Sequence, residues 1–182
     1  MTAEVDTVPF HMREVQATGR SVKLRIWRGD ASGGGFQEYE VPVQEGMVVL
    51  DAVLWTQANV DGSLAVRWNC KAAKCGSCSA EINGFPRLMC KTRLEDYDGA
   101  ISVQPMKTFP VIRDLVTDVS WNYEVNKQIP PFTPTEKDMN DPQPWRMQQE
   151  DVERQIEFRK CIECFLCPVS YTHLTLPTIL RV

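Results

Sequence analysis

RWNCKAAKCGSCSAEINGFPRLMC, residues 67–90, holds four of the seven cysteines of the chain, spaced C-x4-C-x2-C-x11-C at Cys70, Cys75, Cys78 and Cys90. Four thiolates at this spacing are the pattern that grips a [2Fe–2S] cluster. The first three fall in one tight loop, which must wrap the cluster and aim backbone N–H groups at its sulfurs. Small residues suit that task, and Ala72, Ala73, Gly76, Ser77 and Ser79 provide them. Gly76 can also adopt a positive φ without a Cβ penalty. The fourth cysteine arrives from a separate segment, after a turn at Asn83-Gly84.

Zinc is the first competing reading. Structural zinc sites usually pair two short knuckles, whereas the grouping here is three plus one. Buried core cysteines or disulfides are the second. Three cysteines within nine residues of a small polar loop make poor core, and the N-terminus lacks the basic-then-apolar layout of an export signal. Cytosolic metal or redox chemistry is the expectation.

The surroundings of the loop read as a small mixed sheet over one helix. Ser21 to Trp27 alternates, with Val22, Leu24 and Ile26 on one face and Lys23 and Arg25 on the other, as in a half-buried strand. Phe36 to Val43 is the return strand, and Gly29, Asp30 and Gly33-Gly34-Gly35 read as the hairpin loop between them. No P-loop lysine follows the glycines, which argues against a phosphate cradle. Val48 to Asn59 has helical spacing, with Val49, Leu50, Val53 and Leu54 on one face. Ser79 to Ile82 and Pro86 to Met89 flank Asn83-Gly84 as a hairpin, and Ala100 to Gln104 reads as the last strand.

Composition shifts after Pro105. Val111, Ile112, Leu115, Val116, Val119 and Tyr123 follow Pro110 at spacings that predict a helix with one packing stripe. Residues 128–146 carry five prolines and few aliphatics and read as a long irregular connection lying along a surface or partner. Trp145 reads as a packing anchor within it. Gln148 to Lys160 predicts a charged helix that delivers the chain into CIECFLC, with Cys161, Cys164 and Cys167. C-x2-C-x2-C opens a [4Fe–4S] motif, although three cysteines without a fourth also leave zinc, or no ligand at all, as readings. His11, in a mixed polar arm over residues 1–20, reads as an exposed polar residue.

The 182 residues are 43% hydrophobic and 24% charged, with a formal net charge of −4. That suits one domain or two small ones and suggests no nucleic-acid partner. No apolar run reaches the roughly 20 residues of a membrane span.

RWNCKAAKCGSCSAEING…PRLMC, TFPVIRDLVTDVS and EFRKCIECFLC together resemble the iron–sulfur subunit of succinate dehydrogenase/fumarate reductase, nearest to the short form found in actinobacteria. The resemblance covers about residues 21–167. It implies an α+β chain: an N-terminal β-grasp [2Fe–2S] ferredoxin-like domain over 21–106, then an incomplete α-helical ferredoxin-like domain over 107–167. Residues 1–20 form an arm. By position it makes Cys70, Cys75, Cys78 and Cys90 the [2Fe–2S] ligands, and Cys161, Cys164 and Cys167 three of the four [4Fe–4S] ligands. Tyr171 stands where the family has a cysteine for a [3Fe–4S] cluster, and the other ligands of the later clusters are expected to be absent here. The tail PVSYTHLTLPTILRV, residues 168–182, does not resemble the family. It reads as a truncated, frameshifted or chimeric end, with His173 incidental.

The resemblance further implies electron transfer from an FAD-containing flavoprotein subunit, which oxidises succinate, through the clusters to quinone at a membrane anchor subunit. No residue of this chain takes part as a general acid or base. The chain is then expected at the inner face of the cell membrane, held there by its partners. Arg67 and Arg87, flanking the cysteine segment, either neutralise cluster charge or pair with surface carboxylates. A free-standing [2Fe–2S] electron carrier and a zinc-stabilised interaction module are the competing functions.

Overall fold

The computed structural model of the protein describes residues 19–131, 133, 136–140 and 147–172. His11, Trp145 and His173, most of the N-terminal arm and most of the atypical tail lie outside the described residues. These residues fall into two compact units, one of residues up to Asp118 together with the segment from Cys164, the other Val119–Glu163.

The first unit is built on a mixed sheet. Strand β1 (Ser21–Asp30) pairs antiparallel with β2 (Gly33–Pro42) over its whole length. Its other edge is therefore left to β5 (Ile101–Gln104), which pairs in parallel at Leu24–Ile26, and to β6 (Val111–Arg113), which pairs antiparallel at Asp30. β3 (Ser79–Ile82) and β4 (Phe85–Leu88) extend the sheet beyond β5, and β7 (Val116–Thr117) lies outside β6. A parallel β1–β5 pair needs a long crossover, and the chain uses that crossover for its helix and its cysteine loop.

The alternation in β1 puts Leu24 and Ile26 wholly inside, opposite Ile101 and Val103 of β5. Helix α1 (Val49–Asn59) adds Val49, Leu50, Ala52, Val53 and Leu54 to the same core cluster, with Ala80, Ile82 and Met89. The helix starts without a polar N-cap residue. Its first N–H groups are satisfied from elsewhere: Asp51 accepts from the Val48 N–H at 3.3 Å, Thr92 O from Val49 N at 2.8 Å and Met89 O from Leu50 N at 3.1 Å. The segment that carries Cys90 is thereby fastened to the helix end.

The β3–β4 hairpin turns at Asn83 (φ 48°) and Gly84 (φ 81°), the positive-φ pair of a two-residue hairpin. The Asn83 side chain accepts from Ser102 N at 2.7 Å, tying the turn to β5.

Two expectations need correction. The glycine run is not a loop: Gly33–Gly35 belong to β2, and only Ala31 and Ser32 turn the chain. A Cβ on Gly34 would stand 2.2 Å from Arg28 O and 2.6 Å from the Trp27 ring. The glycines let the two strands meet beneath an indole. The second correction concerns the helix expected from Pro110. The stretch forms the β6–β7 hairpin, and helix begins only at α2 (Ser120–Asn126).

The reason for that second difference is tertiary. Val111, Ile112, Val116, Thr117 and Val119 are β-branched, which favours strand as readily as the spacing favours helix. Asp114 then takes φ 49°, which no helix accommodates. Its N–H donates to Gly29 O at 2.7 Å, and Leu115 N donates to Ala65 O at 3.2 Å. The buried Asp114 carboxylate accepts from Gly29 N at 3.0 Å and Ala65 N at 2.8 Å. Arg28 Nε lies 3.0 Å from the same carboxylate, close enough for an ion pair but out of line for a hydrogen bond. Arg28 also donates to Tyr39 OH and Ser63 Oγ, each at 2.9 Å, and to Asp61. One arginine thus binds the β1–β2 end, the entry to the cysteine loop and the β6–β7 turn.

The second unit carries α2, the five-residue helix α3 (Glu136–Asn140) and α4 (Gln149–Arg159), which starts within a residue of the sequence expectation. α2 and α4 bury none of their residues, and Trp121, Ile156 and Phe158 are exposed. Short helix α5 (Leu166–Thr172) belongs to the first unit, where Val169 is wholly buried. No helix among the described residues is long and apolar enough to cross a membrane.

Asp114→Ala leaves two part-buried N–H groups without their acceptor and Arg28 without an ion-pair partner. It should cost about 2 kcal/mol, since a buried donor left unmade costs roughly 1–3. Urea denaturation measures this, and a loss under about 1 kcal/mol would contradict the role. Asp61 supplies a pH test. The Ser63 hydroxyl, the Arg28 guanidinium and the Ser63 N–H hold its carboxyl well below the usual carboxylate range. A depressed folded pKa stabilises the fold above the unfolded value of about 4, and the contribution is lost as pH falls below it. Asp61→Asn should therefore lower Tm at pH 7, with the gap to the unsubstituted chain narrowing at pH 3; a gap independent of pH would refute the linkage.

Candidate metal centre

The loop between α1 and β3 folds around its own sulfurs. Lys71 and Ala73 take φ 52° and 53°, and Gly76 takes 70°. Alternating conformations of this kind turn successive N–H groups to one side. Ala72 N and Lys74 N both donate to the Cys70 sulfur at 3.3 Å. The loop is fastened outside as well. Arg67 donates to Thr117 O at 3.3 Å, Lys71 pairs with Asp51 at 3.5 Å and lies 5.0 Å over the Trp68 ring. Arg67 therefore spends its guanidinium on a carbonyl of β7.

The four thiols are neighbours: Cys75 lies beside Cys70, and Cys78 beside Cys90 and near Cys75. Cys75 receives hydrogen bonds from the Ser77 hydroxyl and N–H and from Cys70, which pull its thiol down to about 6. Cys78, on the buried side where the loop enters β3, is pushed up to about 12 by burial, and the Cys90 thiol stands beside it. Met89 N donates to Cys78 O at 3.0 Å and holds the Cys90 segment against the loop. Among the described residues, no three of the His, Cys, Asp and Glu side chains converge where a single ion could sit. Four neighbouring thiols suit two metal ions that each take two protein sulfurs and complete their tetrahedra with bridging sulfide. The donor set fits a two-iron cluster.

The second cysteine group is open by comparison. Cys161 and Cys167 are exposed and Cys164 is half-buried. Cys164 lies between two residues of positive φ, Glu163 (52°) and Phe165 (55°). It packs directly against Gly76: a Cβ there would stand 2.6 Å from the Cys164 Cα. Ser79 donates its hydroxyl to Gly76 O and Cys164 O, each at 2.8 Å.

Gly76 was legible in the sequence as a turn residue, but its second constraint, the approach of Cys164, was not. Ser77 and Ser79 read only as small loop residues; nothing in their spacing announced a bond to sulfur or to a segment 85 residues away. Asp114 carried no sequence signal at all.

Residues 23–124 match the family described as 2Fe-2S iron-sulfur cluster binding domain. A fumarate reductase iron-sulfur subunit from Mycobacterium tuberculosis is 38% identical over 138 residues, 72% of this chain and 54% of that protein. A succinate dehydrogenase iron-sulfur subunit from Paracoccus denitrificans is 30% identical over 152 residues, 81% of this chain and 58% of that protein. Among solved structures, a chain of the Mycobacterium smegmatis Sdh1 complex in the apo form is 60% identical with a TM-score of 0.77, covering 81% of this chain and 62% of that one. The chain spans rather more than half the length of these relatives. The mixed sheet with its helix and cysteine loop is an α+β ferredoxin-type domain, and the chain belongs to the family of 2Fe-2S iron–sulfur cluster binding domains, with fumarate reductase and succinate dehydrogenase iron–sulfur subunits among its relatives.

Proposed function

We propose that the chain is the electron-transfer iron–sulfur subunit of a succinate:quinone oxidoreductase, with Cys70, Cys75, Cys78 and Cys90 as ligands of a [2Fe–2S] cluster. The observation that carries this reading is the gathering of the four thiols in and beside a loop that turns its N–H groups to sulfur, Ala72 N and Lys74 N onto Cys70 at 3.3 Å, with Cys75 beside Cys70 and Cys90 beside Cys78. Cys70 with Cys75 would hold one iron and Cys78 with Cys90 the other. A cluster so held provides one-electron storage between a two-electron flavin donor and a quinone acceptor.

The chain's own residues do three things. The N–H groups of Ala72 and Lys74 and the bonds from Ser77 place positive dipole ends on Cys70 and Cys75, which stabilises charge on those sulfurs and tunes the potential. The buried side, Cys78 with Met89 and Ala80 around it, keeps water from one half of the site. The backbone bonds of Met89 and Thr92 to Cys78 and the start of α1 hold the Cys90 segment beside the loop.

The finer organisation follows the same reading. Cys161, Cys164 and Cys167 are three ligands of a [4Fe–4S] cluster, reached through the helical segment that begins at Ser120, after the sheet and its β6–β7 hairpin. No [3Fe–4S] ligand is assigned to these residues. The partners are an FAD-bearing flavoprotein subunit, where dicarboxylate chemistry takes place, and a quinone-binding membrane anchor that holds the assembly at the inner face of the cell membrane. The relatives at 38% and 30% identity support the subunit role through their names as iron-sulfur subunits of fumarate reductase and succinate dehydrogenase.

Reconstitution of the chain with iron and sulfide should give about two irons and two labile sulfides in the first site, with the absorption and paramagnetic resonance of a [2Fe–2S] centre on reduction. Cys75→Ser should alter that resonance, and zinc uptake without labile sulfide would overturn the ligand assignment. Pull-down of the tagged chain from its native cell membranes should bring with it a flavin-bearing, succinate-oxidising protein. Recovery of the chain alone, loaded with the [2Fe–2S] centre, would instead make it a free-standing carrier.

A further inference from the structure

The two cysteine groups are far apart in sequence yet in direct contact at one point, and that contact is built from residues outside the ligand set. Gly76 is buried, with φ 70°, and has no room for a side chain because the backbone of Cys164 stands where its Cβ would be. Ser79 is buried where β3 begins, and its single hydroxyl proton is shared between Gly76 O and Cys164 O. Beyond Cys164, Phe165 meets Phe109 edge-on with ring centroids 6.2 Å apart, and Val169 is wholly buried.

We propose that Ser79 is a positioning residue that fastens the second cysteine group to the first, its hydroxyl holding the Cys164 carbonyl against the thiol loop at Gly76. This rests on the ligand assignment above. Cys78 and Ser79 are adjacent, so the only steps between a ligand of the first group and one of the second are a peptide link and a hydrogen bond. The geometry also explains two residue choices at once. Gly76 is required by the closeness of the Cys164 backbone, and Ser79 supplies a hydroxyl donor to the part-buried Cys164 carbonyl. Alanine at 79 would suit the strand equally well but would leave that carbonyl, half-buried with Cys164, without its partner.

Amide hydrogen exchange on the full chain tests the proposal independently of any cluster. In Ser79→Ala, peptides covering 164–172 should exchange about fivefold faster, the effect of one lost hydrogen bond on local opening. Peptides from β1 and β2 should be unchanged. Ser79→Thr, which restores the hydroxyl, should bring exchange back to within about twofold of the unsubstituted chain. Protection of 164–172 that is unchanged in Ser79→Ala, or loosening that threonine does not reverse, would overturn the proposal. Should Ser79→Ala unfold the sheet, seen as exchange throughout β1 and β2, Gly76→Ala carries the test. Its Cβ must push Cys164 away, so 164–172 should again lose protection, and retained protection would overturn the proposal. Iron and sulfide counts on the same variants separate the two claims. A normal [2Fe–2S] content with unaltered exchange sinks the Ser79 role alone, whereas zinc in place of iron sinks the ligand assignment and leaves the contact standing.

Discussion

Two backbone hydrogen bonds set the geometry on which the cysteine site depends: Val49 N to Thr92 O and Leu50 N to Met89 O. A helix end must satisfy its first N–H groups, and the residue before this helix, Val48, has no polar side chain to cap it. The chain solves the problem with carbonyls from the segment around Cys90. That choice places the fourth thiol across from the loop that holds the other three. It also lets the hydrophobic burial of α1 hold that thiol in place, since Leu50 and Val53 cannot leave the core without drawing the Cys90 segment with them. The rest of the sheet serves this arrangement: β5 pairs parallel to β1 because the crossover between them has the length to carry both helix and loop.

Polar groups inside the first unit follow a similar economy. The Arg28–Asp61–Asp114 cluster and the fully buried Glu81 are each held by several partners. Glu81 accepts from Gln104 Nε2 and Lys107 N at 2.8 Å each. A buried carboxylate with several donors is tolerated where an isolated one would not be. Both carboxylates also join segments distant in sequence, Asp114 at the entry to the cysteine loop and Glu81 on the strand that leaves it. The loop is thus clamped at both ends by charge as well as by packing. Within the loop the balance reverses: its N–H groups turn to sulfur instead of to carbonyls, so that Cys70 and Cys75 lie in a field of donors while Cys78 and Cys90 lie against the apolar side.

How much of this was legible depended on whether the cause was local. The alternation of Leu24 and Ile26, the apolar face of α1 and the Asn83-Gly84 turn are decided by neighbouring residues, and they read correctly. The cysteine spacing proposed a donor set on the same local grounds, from residues close in sequence. The failures share the opposite feature. Gly33–Gly35 read as a loop because strand glycine is costly in isolation, and only the Trp27 ring and the Arg28 carbonyl explain why it is required. The stripe after Pro110 satisfied helical spacing, and only the bonds of Asp114 to Gly29 and Ala65 turn it into a hairpin. The docking of Cys164 on Gly76 could not be read at all, since it depends on a contact between residues 88 positions apart that no period or composition encodes.

The central claim is that two thiol pairs hold two irons. X-ray absorption fine structure at the iron edge of the reconstituted chain, with Cys161, Cys164 and Cys167 replaced by alanine, reads that arrangement directly. The account predicts a first shell of sulfur only and a second shell that contains an iron neighbour, from the bridged pair. A sulfur shell with no iron neighbour, or a first shell with nitrogen or oxygen from other residues, would contradict it.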